Sequence, residues 1–424
     1  MRVLIVNTSE RTGGAAVAAN RLMDALNNHG VKAKMLVRDK ESDSLTVSGL
    51  PSSWMPRWHF LWERLCILLH LRLKREHLFE IDIANAGTDI TQLPEFQEAD
   101  VIHLHWVNQG MLSLKDIRKI LTSGKPVVWT MHDIWPATAL CHLTLECRKF
   151  ESQCSHCRLL PGGGCENDLS VRVWQQKKNM LNGQRATFVT CSEWLGEEAR
   201  KSALLKGQEV RVVPNAIDMR VYRPTGKQEA RRALNLPLEG HIILFVSQRV
   251  NNPNKGMHYL VEACQLLAHK HGDHFQNTVV TILGGHAEEI ALQLPFQTCA
   301  LGYVNDERRI ATVYNAADVF VLPSLSENLP NTIMEAMACG VPCVGFRVGG
   351  IPEEIDHQET GYVADYCNSE DLARGLYYVL EEADAELLSR NCVHKVAQCY
   401  SQQSVANRYM EVYQEAMHPK MQKR

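Results

Sequence analysis

The stretch PSLSENLPNTIMEAMACGVPCVGFRVGG (323–350) carries the strongest fold signal in this chain. It continues an apolar run, DVFVLPS (318–324), that predicts a buried β-strand, and Pro330 then predicts the opening of a helix, because proline suits the first helical position. Glu327 lies in the loop and Glu335 about one and a half turns into the helix. A helix N-terminus after a strand suits a phosphate, whereas a carboxylate suits the paired hydroxyls of a sugar. The stretch therefore predicts a site for a ligand with both groups.

Size and charge narrow the class of protein. The chain has 424 residues, which suits two or three domains, and its formal net charge of −3 gives no electrostatic case for nucleic acid. No run reaches the roughly 18 apolar residues of a membrane helix. The opening MRVLIVNTSE predicts a strand rather than a signal peptide. We therefore expect a cytoplasmic protein whose 14 cysteines are reduced.

Twelve short apolar runs alternate with helical patterns, which is typical of parallel sheets covered on both faces. The fold class is α/β, with two Rossmann-like domains whose parallel sheets face each other across a deep cleft. We expect domains at 1–222 and 223–403, with a cysteine-rich insertion at 141–165 and a last helix, 404–424, that rejoins the first domain. The predicted strands are 2–7, 32–38, 100–106, 126–132, 186–192, 210–217, 241–248, 278–285, 299–304, 318–324, 342–348 and 361–365.

Two loops that follow strands carry residues suited to phosphate. Arg249 and Lys255 come after the strand 241–248 and are placed to neutralise a diphosphate. The chain has no Asp-x-Asp, so two fixed cations and a helix N-terminus would replace a catalytic metal. Gly13 and Gly14 follow the first strand and permit close backbone approach to a ligand. The alternatives are a solvated loop for the cations and a simple tight turn for the glycines.

His132 ends the strand 126–132, where it would bond a sugar hydroxyl or polarise the reacting centre. The alternative is a structural histidine packed at a strand end. For His103 and His105 the structural interpretation is favoured, with a role in shaping the acceptor side as the alternative.

Taken together, these motifs resemble the retaining glycosyltransferases of family 4, which have the GT-B fold. The resemblance is carried by Glu327 and Glu335, spaced E-x7-E, by Arg249 with Lys255-Gly256, and by PNAID (214–218), GYVND (302–306), YNAADVFVLPS (314–324) and GGIPEEI (349–355). It implies that Glu335 binds the donor's ribose, that Glu327 faces the transferred sugar, and that Arg249 and Lys255 hold the diphosphate. Asn328 departs from the glycine usual there, which Asn replaces best in the left-handed region.

The resemblance also assigns further contacts. Gly14 and the amides near Thr332 assist at the diphosphate, His132 lies by the donor sugar, and backbone near Tyr303 and Val304 contacts the base. The implied catalytic residues are His132 and Glu327, and the implied donor-binding set is Gly13, Gly14, Arg249, Lys255, Tyr303, Val304, Leu329, Asn331, Thr332 and Glu335.

The implied reaction moves a sugar from a UDP- or GDP-sugar to a hydroxyl of a growing bacterial glycan. The acceptor would be a glycan or an oligosaccharide on polyprenyl diphosphate, and substitution would occur on the front face without an enzymic nucleophile. A GT-B nucleotide-sugar epimerase and a non-enzymatic zinc-stabilised binding protein are the alternatives.

The cysteine-rich segment has the spacing C-x5-C-x6-C-x2-C at Cys141, Cys147, Cys154 and Cys157. Four thiolates would form a closed structural zinc site. His142 or His156 would be a substitute ligand, and redox pairing and uncoordinated thiols are the alternatives. Similar clusters occur in exopolysaccharide transferases of the colanic-acid type, which points to surface polysaccharide.

Residues 54–79 predict an amphipathic helix with Trp54, Trp58, Trp62, Leu65, Leu69 and Leu73 at helical spacing, together with several arginines. Such a helix suits the cytoplasmic face of the inner membrane. The alternative is a helix packed on the sheet by its apolar stripe.

Overall fold

A computed structural model describes residues 1–51 and 54–418. The chain divides into two compact units. Unit 1 comprises Met1–Ala216 and the residues from Val405 on, and unit 2 comprises Ile217–Ser404. Within the described ranges, no helix combines the length and the apolar composition needed to cross a bilayer.

Unit 1 is built on a seven-stranded sheet in which every pair of neighbouring strands is parallel. Its strand order is β3-β2-β1-β4-β5-β6-β7. The strands are Arg2–Ser9 (β1), Lys32–Asp39 (β2), Val47–Gly49 (β3), Val101–Leu104 (β4), Val127–Met131 (β5), Thr187–Thr190 (β6) and Glu209–Val212 (β7). The helices are Gly14–Asn28 (α1), Trp54–His70 (α2), Pro94–Glu98 (α3), Leu114–Leu121 (α4), Leu169–Leu181 (α5) and Glu193–Lys201 (α6), with single 3-10 turns at Trp135–Ala137, Lys149–Glu151 and Pro161–Gly163.

Unit 2 is built on a six-stranded parallel sheet of order β10-β9-β8-β11-β12-β13. Its strands are Ile242–Arg249 (β8), Val279–Gly285 (β9), Gln297–Gly302 (β10), Val319–Leu322 (β11), Cys343–Phe346 (β12) and Gly361–Ala364 (β13). Its helices are Lys227–Ala233 (α7), Met257–His271 (α8), Glu288–Ala291 (α9), Glu307–Ala316 (α10), Asn331–Ala338 (α11), Ile351–Glu354 (α12), Ser369–Tyr377 (α13) and Ala385–Cys399 (α14), with a 3-10 turn at Pro253–Lys255 and a π-helical turn at Tyr378–Glu382.

The last helix, Gln402–Met417 (α15), returns to unit 1 as expected. Its buried residues Val405, Tyr409 and Tyr413 join the hydrophobic core that includes Val3 and Ile5 of β1. The predicted span 404–424 was too long, because α15 ends at Met417, and residues 419–424 lie outside the described residues.

All twelve predicted strands are present, and most of them are runs of mainly buried apolar residues, whereas β7 and β10 are half-buried or exposed. The strand that sequence reasoning missed is β3, whose three residues are too few to show a pattern. The helix predicted over 54–79 was also too long. It ends at His70, because Arg72 (φ 52°) and Leu73 (φ 65°) turn left-handed and the Leu73 amide donates to the Leu68 carbonyl at 2.9 Å.

Each sheet has one point at which its strand order reverses. In unit 2 this switch point lies between β8 and β11, and in unit 1 it lies between β1 and β4. Ligands of open parallel sheets bind outside the carboxyl ends of the strands at such a point. The loops that follow β8 and β11 are therefore the first place to look for a site in unit 2.

Candidate active site

The loops after β8 and β11 bring a cation and a carboxylate together at the switch point of unit 2. The Lys255 ammonium forms an ion pair with Glu327 Oε1. The side chains are 27% and 14% exposed, so both are largely shielded but still reach the surface. Arg249, the last residue of β8, is exposed at the same edge of the sheet. Arg249, Lys255 and Glu327 thus lie at or after the carboxyl ends of two neighbouring strands.

The two loops are docked through their backbones. The Leu325 amide donates to the Asn254 carbonyl at 2.8 Å, and the Asn254 side chain donates to the Ser326 carbonyl at 2.9 Å. Gly256 adopts φ +64°, and a Cβ there would lie 1.8 Å from the Pro323 carbonyl oxygen. Glycine is required at this position both for the left-handed backbone and for the close approach, which together hold Lys255 beside Glu327.

A Gly256→Ala variant is expected to lose about 3 kcal/mol or more of stability in unit 2, because the loop must strain and also separate from Pro323. Urea denaturation followed by circular dichroism measures this loss. The matched control is Gly302→Ala, which has φ +67° and no atom within 4 Å of the added Cβ. It should lose only the roughly 1 kcal/mol of left-handed strain. Equal losses in the two variants would show that the close approach at Gly256 contributes nothing.

Glu335 lies inside α11, where it is only 7% exposed. The Tyr314 hydroxyl, from α10, donates to Glu335 Oε2 at 2.9 Å and so orients the carboxylate. Burial and the neighbouring Glu335 raise the pKa of Tyr314 well above its usual value, so this tyrosine remains a donor. Sequence reasoning missed Tyr314, although it begins the YNAAD motif. The helix opens near Pro330 as predicted, with Pro330 as the N-cap, at ψ 115°, and Asn331 as the first helical residue.

Gly349 and Glu354 lie close to the loop that carries Glu327. Gly349, at φ +56°, lies so close that a Cβ would be 1.7 Å from the Glu327 carbonyl oxygen. Glu354 is fully buried, and neither of its carboxylate oxygens has a hydrogen-bond partner among the described residues. Burial, reinforced by Glu327, raises the pKa of Glu354 well above its usual range. Sequence reasoning missed Glu354, whose signal is the second glutamate of GGIPEEI.

The remaining predicted donor-binding residues also lie at strand or helix ends in unit 2. Tyr303 and Val304 directly follow β10, and Tyr303 is 63% exposed. Asn331 and Thr332 open α11 and are half-buried, whereas Leu329 is buried. Their contacts with a donor stay predictions.

In unit 1 the predicted residues follow β1 and β5. Gly13, with φ +94°, is the N-cap of α1, and Gly14 is the first residue of that helix. His132 directly follows β5 and is half-buried, with its Nε2 2.9 Å from Nδ1 of His105. Burial lowers the pKa of His132 to about 4, so its ring is neutral at pH 7.

His103 has the structural role that the sequence favoured. Its Nδ1 lies 2.8 Å from the Tyr413 hydroxyl, its Nε2 lies 2.7 Å from Thr130 Oγ1, and the residue is fully buried. Burial lowers the pKa of His103 to about 3, so it is a neutral part of the core that joins β4 to α15. His105 is buried beside it and links it to His132.

Comparison with known proteins matches each of the two units to a glycosyltransferase family. Residues 12–221 match the family described as Glycosyltransferase Family 4, and residues 226–393 match Glycosyl transferases group 1. The chain has the GT-B fold of the family 4 glycosyltransferases. Because both families and the curated relatives are named for this activity, the protein is a glycosyltransferase.

A D-inositol 3-phosphate glycosyltransferase of Saccharomonospora viridis is 28% identical over 220 residues, which is 49% of this chain and 50% of that relative. The match therefore spans half the length of the relative. Among solved structures, sucrose-phosphate synthase of Thermosynechococcus elongatus superimposes with a TM-score of 0.67 at 20% identity, over 98% of each chain. HepE of Anabaena, solved with UDP-glucose, gives a TM-score of 0.62 at 18% identity over 98% of this chain and 100% of that one. At these identities the structures establish the fold alone.

The glycosyltransferase also contains a buried charge network next to His132, which sequence reasoning missed. His142 lies between two carboxylates, with Nδ1 2.7 Å from Asp133 Oδ2 and Nε2 2.6 Å from Asp82 Oδ2. Asp82 also pairs with Arg64 of α2, and Asp133 accepts a hydrogen bond from Trp106 at 2.9 Å. Burial lowers the pKa of His142, but Asp133 and Asp82 outweigh it and raise the pKa to about 10.

This network predicts a pH-dependent stability. Because the folded pKa of His142 lies above its unfolded value of about 6.5, its stabilisation is complete below about pH 6.5 and is lost as the pH rises through about 10. His142→Gln should therefore cost on the order of 2 kcal/mol at pH 6 and clearly less at pH 10. Urea denaturation at the two pH values measures this, with the exposed His156→Gln as control. A loss that does not depend on pH would contradict a charged His142.

The zinc prediction is not supported by the structure. No group of three or more His, Cys, Asp or Glu side chains in the described ranges is placed to hold a metal ion. Burial raises the pKa of Cys141 to about 11 and that of Cys154 to about 12, and it raises the pKa of Cys157 as well. The other predicted ligand was Cys147.

Hydrogen bonds from α5 and its N-cap hold the cysteine-rich segment 141–165 and the turn that precedes it. The Lys177 ammonium is fully buried and donates to the carbonyls of Trp135 at 2.6 Å and Thr138 at 3.0 Å. The Asp168 carboxylate accepts from the amides of Cys157 at 2.9 Å and Cys165 at 3.1 Å. The substitute ligands also fail, because His142 is engaged by Asp82 and Asp133, and His156 is exposed.

Proposed function

We propose that this protein is a retaining glycosyltransferase that moves a sugar from a nucleoside-diphosphate-sugar to a hydroxyl of a growing, lipid-linked glycan of a bacterial surface polysaccharide. The observation that carries the proposal is the pairing of Lys255 with Glu327 at the switch point of unit 2. It puts a cation where a diphosphate would lie and a carboxylate where sugar hydroxyls would lie. The guanidinium of Arg249 and the free N–H groups at the N-terminus of α11 add further positive charge at the same edge of the sheet.

The donor would be held in order along this edge. Glu335, oriented by Tyr314, would accept two hydrogen bonds from the ribose hydroxyls. Lys255 and Arg249 would bind the diphosphate, helped by the first-turn amides near Thr332. Tyr303 and Val304 would meet the base. We propose UDP as the nucleotide, because HepE was solved with UDP-glucose, and a GDP-sugar is the alternative.

Retention would follow from charge stabilisation rather than from an enzymic nucleophile. As the bond to the sugar breaks, negative charge grows on the leaving diphosphate, and Lys255 and Arg249 would stabilise it. The leaving phosphate oxygen then takes the proton of the acceptor hydroxyl, which attacks from the same face. The carboxylate of Glu327 would hold the transferred sugar. With two side-chain cations at the diphosphate, the reaction would need no catalytic metal.

Transfer from a radiolabelled UDP-sugar to a bacterial membrane extract tests the proposal. We expect label in the lipid-linked fraction, the same anomeric configuration in product and donor by NMR, and full activity in EDTA. Conversion of the donor to an epimer without acceptor would instead favour a GT-B epimerase. Transfer to inositol phosphate alone would put the acceptor in the class named for the Saccharomonospora relative. No donor turnover under any of these conditions would leave the non-enzymatic binding protein.

A further inference from the structure

The outward face of α2 consists of large apolar side chains. Trp54, Trp58, Trp62, Leu65 and Leu69 are 67%, 62%, 51%, 45% and 60% exposed. Spacings of three and four residues place them on one side of the helix. Leu73, just beyond the end of the helix, is also exposed. The alternative in which this stripe packs on the sheet is therefore wrong.

The opposite side of α2 carries the charges and is buried. Glu63 accepts hydrogen bonds from the amides of Ile83 at 3.0 Å and Ala84 at 2.6 Å. Arg64 pairs with Asp82 and donates to the Leu78 carbonyl at 2.6 Å. These contacts fix the rotation of the helix, so its apolar side must face outward.

The backbone of α2 also packs closely against unit 1. Gly110 lies against α2, where a Cβ would be 2.5 Å from the backbone nitrogen of Phe60. With Ile67 fully buried beneath it, the helix is attached firmly to unit 1 along its charged side. An exposed apolar surface on a firmly seated helix is typical of an interaction site rather than of a loosely packed segment.

The charge around the apolar stripe indicates what covers it. Arg57, Arg72, Lys74 and Arg75 are exposed, and of the three acids within 54–80 Glu63 is buried and Glu76 and Glu80 are exposed, so exposed cations outnumber exposed acids by four to two. A second copy of the chain meeting this face about a two-fold axis would bring these cations against one another. An anionic lipid surface instead complements both the cations and the tryptophans.

We propose that the face formed by Trp54, Trp58, Trp62, Leu65, Leu69 and Leu73, together with Arg57, Arg72, Lys74 and Arg75, binds an anionic membrane surface. The helix lies in the plane of the interface, over about 25 Å for its 17 residues. Its tryptophans enter the region between headgroups and acyl chains, and the cations neutralise lipid headgroups. The inference stands on unit 1 and is independent of the donor site.

Co-sedimentation with vesicles tests this proposal. The wild-type protein should bind vesicles of phosphatidylcholine with about a third phosphatidylglycerol, and should bind pure phosphatidylcholine at least tenfold more weakly. Trp58→Glu/Trp62→Glu should abolish binding, whereas Leu292→Glu/Leu387→Glu, which changes exposed leucines of unit 2, should not. Replacing Arg72, Lys74 and Arg75 by glutamine should weaken binding to the anionic vesicles on the order of a hundredfold.

Three outcomes would overturn the proposal. Equal sedimentation of wild type and Trp58→Glu/Trp62→Glu would show that this face does not bind lipid. Equal binding to neutral and anionic vesicles would remove the role of the cations. A wild-type dimer in light scattering that Trp58→Glu/Trp62→Glu converts to a monomer, without vesicle binding, would assign the face to a second copy. Unchanged donor turnover in the tryptophan variant separates each of these results from a failure of the proposed function.

Discussion

Glu335→Ala is expected to raise the KM for the nucleotide-sugar on the order of a hundredfold while changing kcat much less. The carboxylate is buried and oriented by Tyr314. In the proposed donor site it accepts two charge-assisted hydrogen bonds from the ribose, and their removal should cost about 3 kcal/mol. The ribose does not react, and its contacts are equally strong in the ground state and the transition state. Initial rates of nucleoside-diphosphate release at varied donor concentration give both constants.

The matched control for Glu335 is Glu359→Ala, the same change at an exposed position of unit 2. It should leave both constants unchanged. Tyr314→Phe should raise KM by a smaller factor, about tenfold, because Glu335 remains but loses its orienting hydrogen bond. A Glu335→Ala variant that is folded and has the wild-type KM would remove Glu335 from the donor site.

Lys255→Ala is expected to act chiefly on kcat, with a loss on the order of 10²- to 10³-fold. Charge on the diphosphate grows as the bond to the sugar breaks, so the ammonium stabilises the transition state more than the bound donor. The substitution also leaves the Glu327 carboxylate without its partner and facing the diphosphate, which adds repulsion. The same initial-rate assay measures the loss, with exposed Lys270→Ala as control.

A double variant separates the two effects of Lys255. If Lys255 also neutralises Glu327, then adding Glu327→Gln to Lys255→Ala should cost less than Glu327→Gln costs in the wild-type background. Strictly additive losses would show that the ion pair has no part in the reaction. A loss in KM alone would mean that Lys255 binds the donor without stabilising the leaving group.

Much of the fold could be predicted from the sequence because parallel strands buried on both faces appear as apolar runs. The run 318–324 and the loop with Glu327 are examples, and Gly256 marks the turn that follows Lys255. The sequence also indicated that Arg249, Lys255 and Glu327 follow strand ends, but the switch point depends on the order of the strands in the sheet, which only the structure shows. Strand β3 was not predicted, because three residues are too few to show an alternating or apolar pattern.

What could not be predicted depends on contacts between distant segments. Tyr314 of α10 donates a hydrogen bond to Glu335 of α11. His142 pairs with Asp82, which lies sixty residues away in the sequence. The cysteine spacing suggested a metal site, but Asp168, the N-cap of α5, accepts hydrogen bonds from the amides of Cys157 and Cys165 in that segment. Helical spacing identified the stripe on α2 without showing which way it faces. That direction is set by Glu63 and its backbone partners.

The central claim is that unit 2 binds a nucleoside-diphosphate-sugar through Lys255 and Glu335, and a thermal-shift screen of UDP-, GDP- and ADP-sugars tests it most directly. A ligand that binds only the folded state raises the unfolding temperature. The account predicts that one nucleotide class raises the Tm of the wild-type protein and of the Glu359→Ala control. It also predicts that the same compound leaves the Tm of Lys255→Ala/Glu335→Ala unchanged. A wild-type protein that responds to none of these compounds, or a double variant that responds as strongly as the wild type, would contradict it.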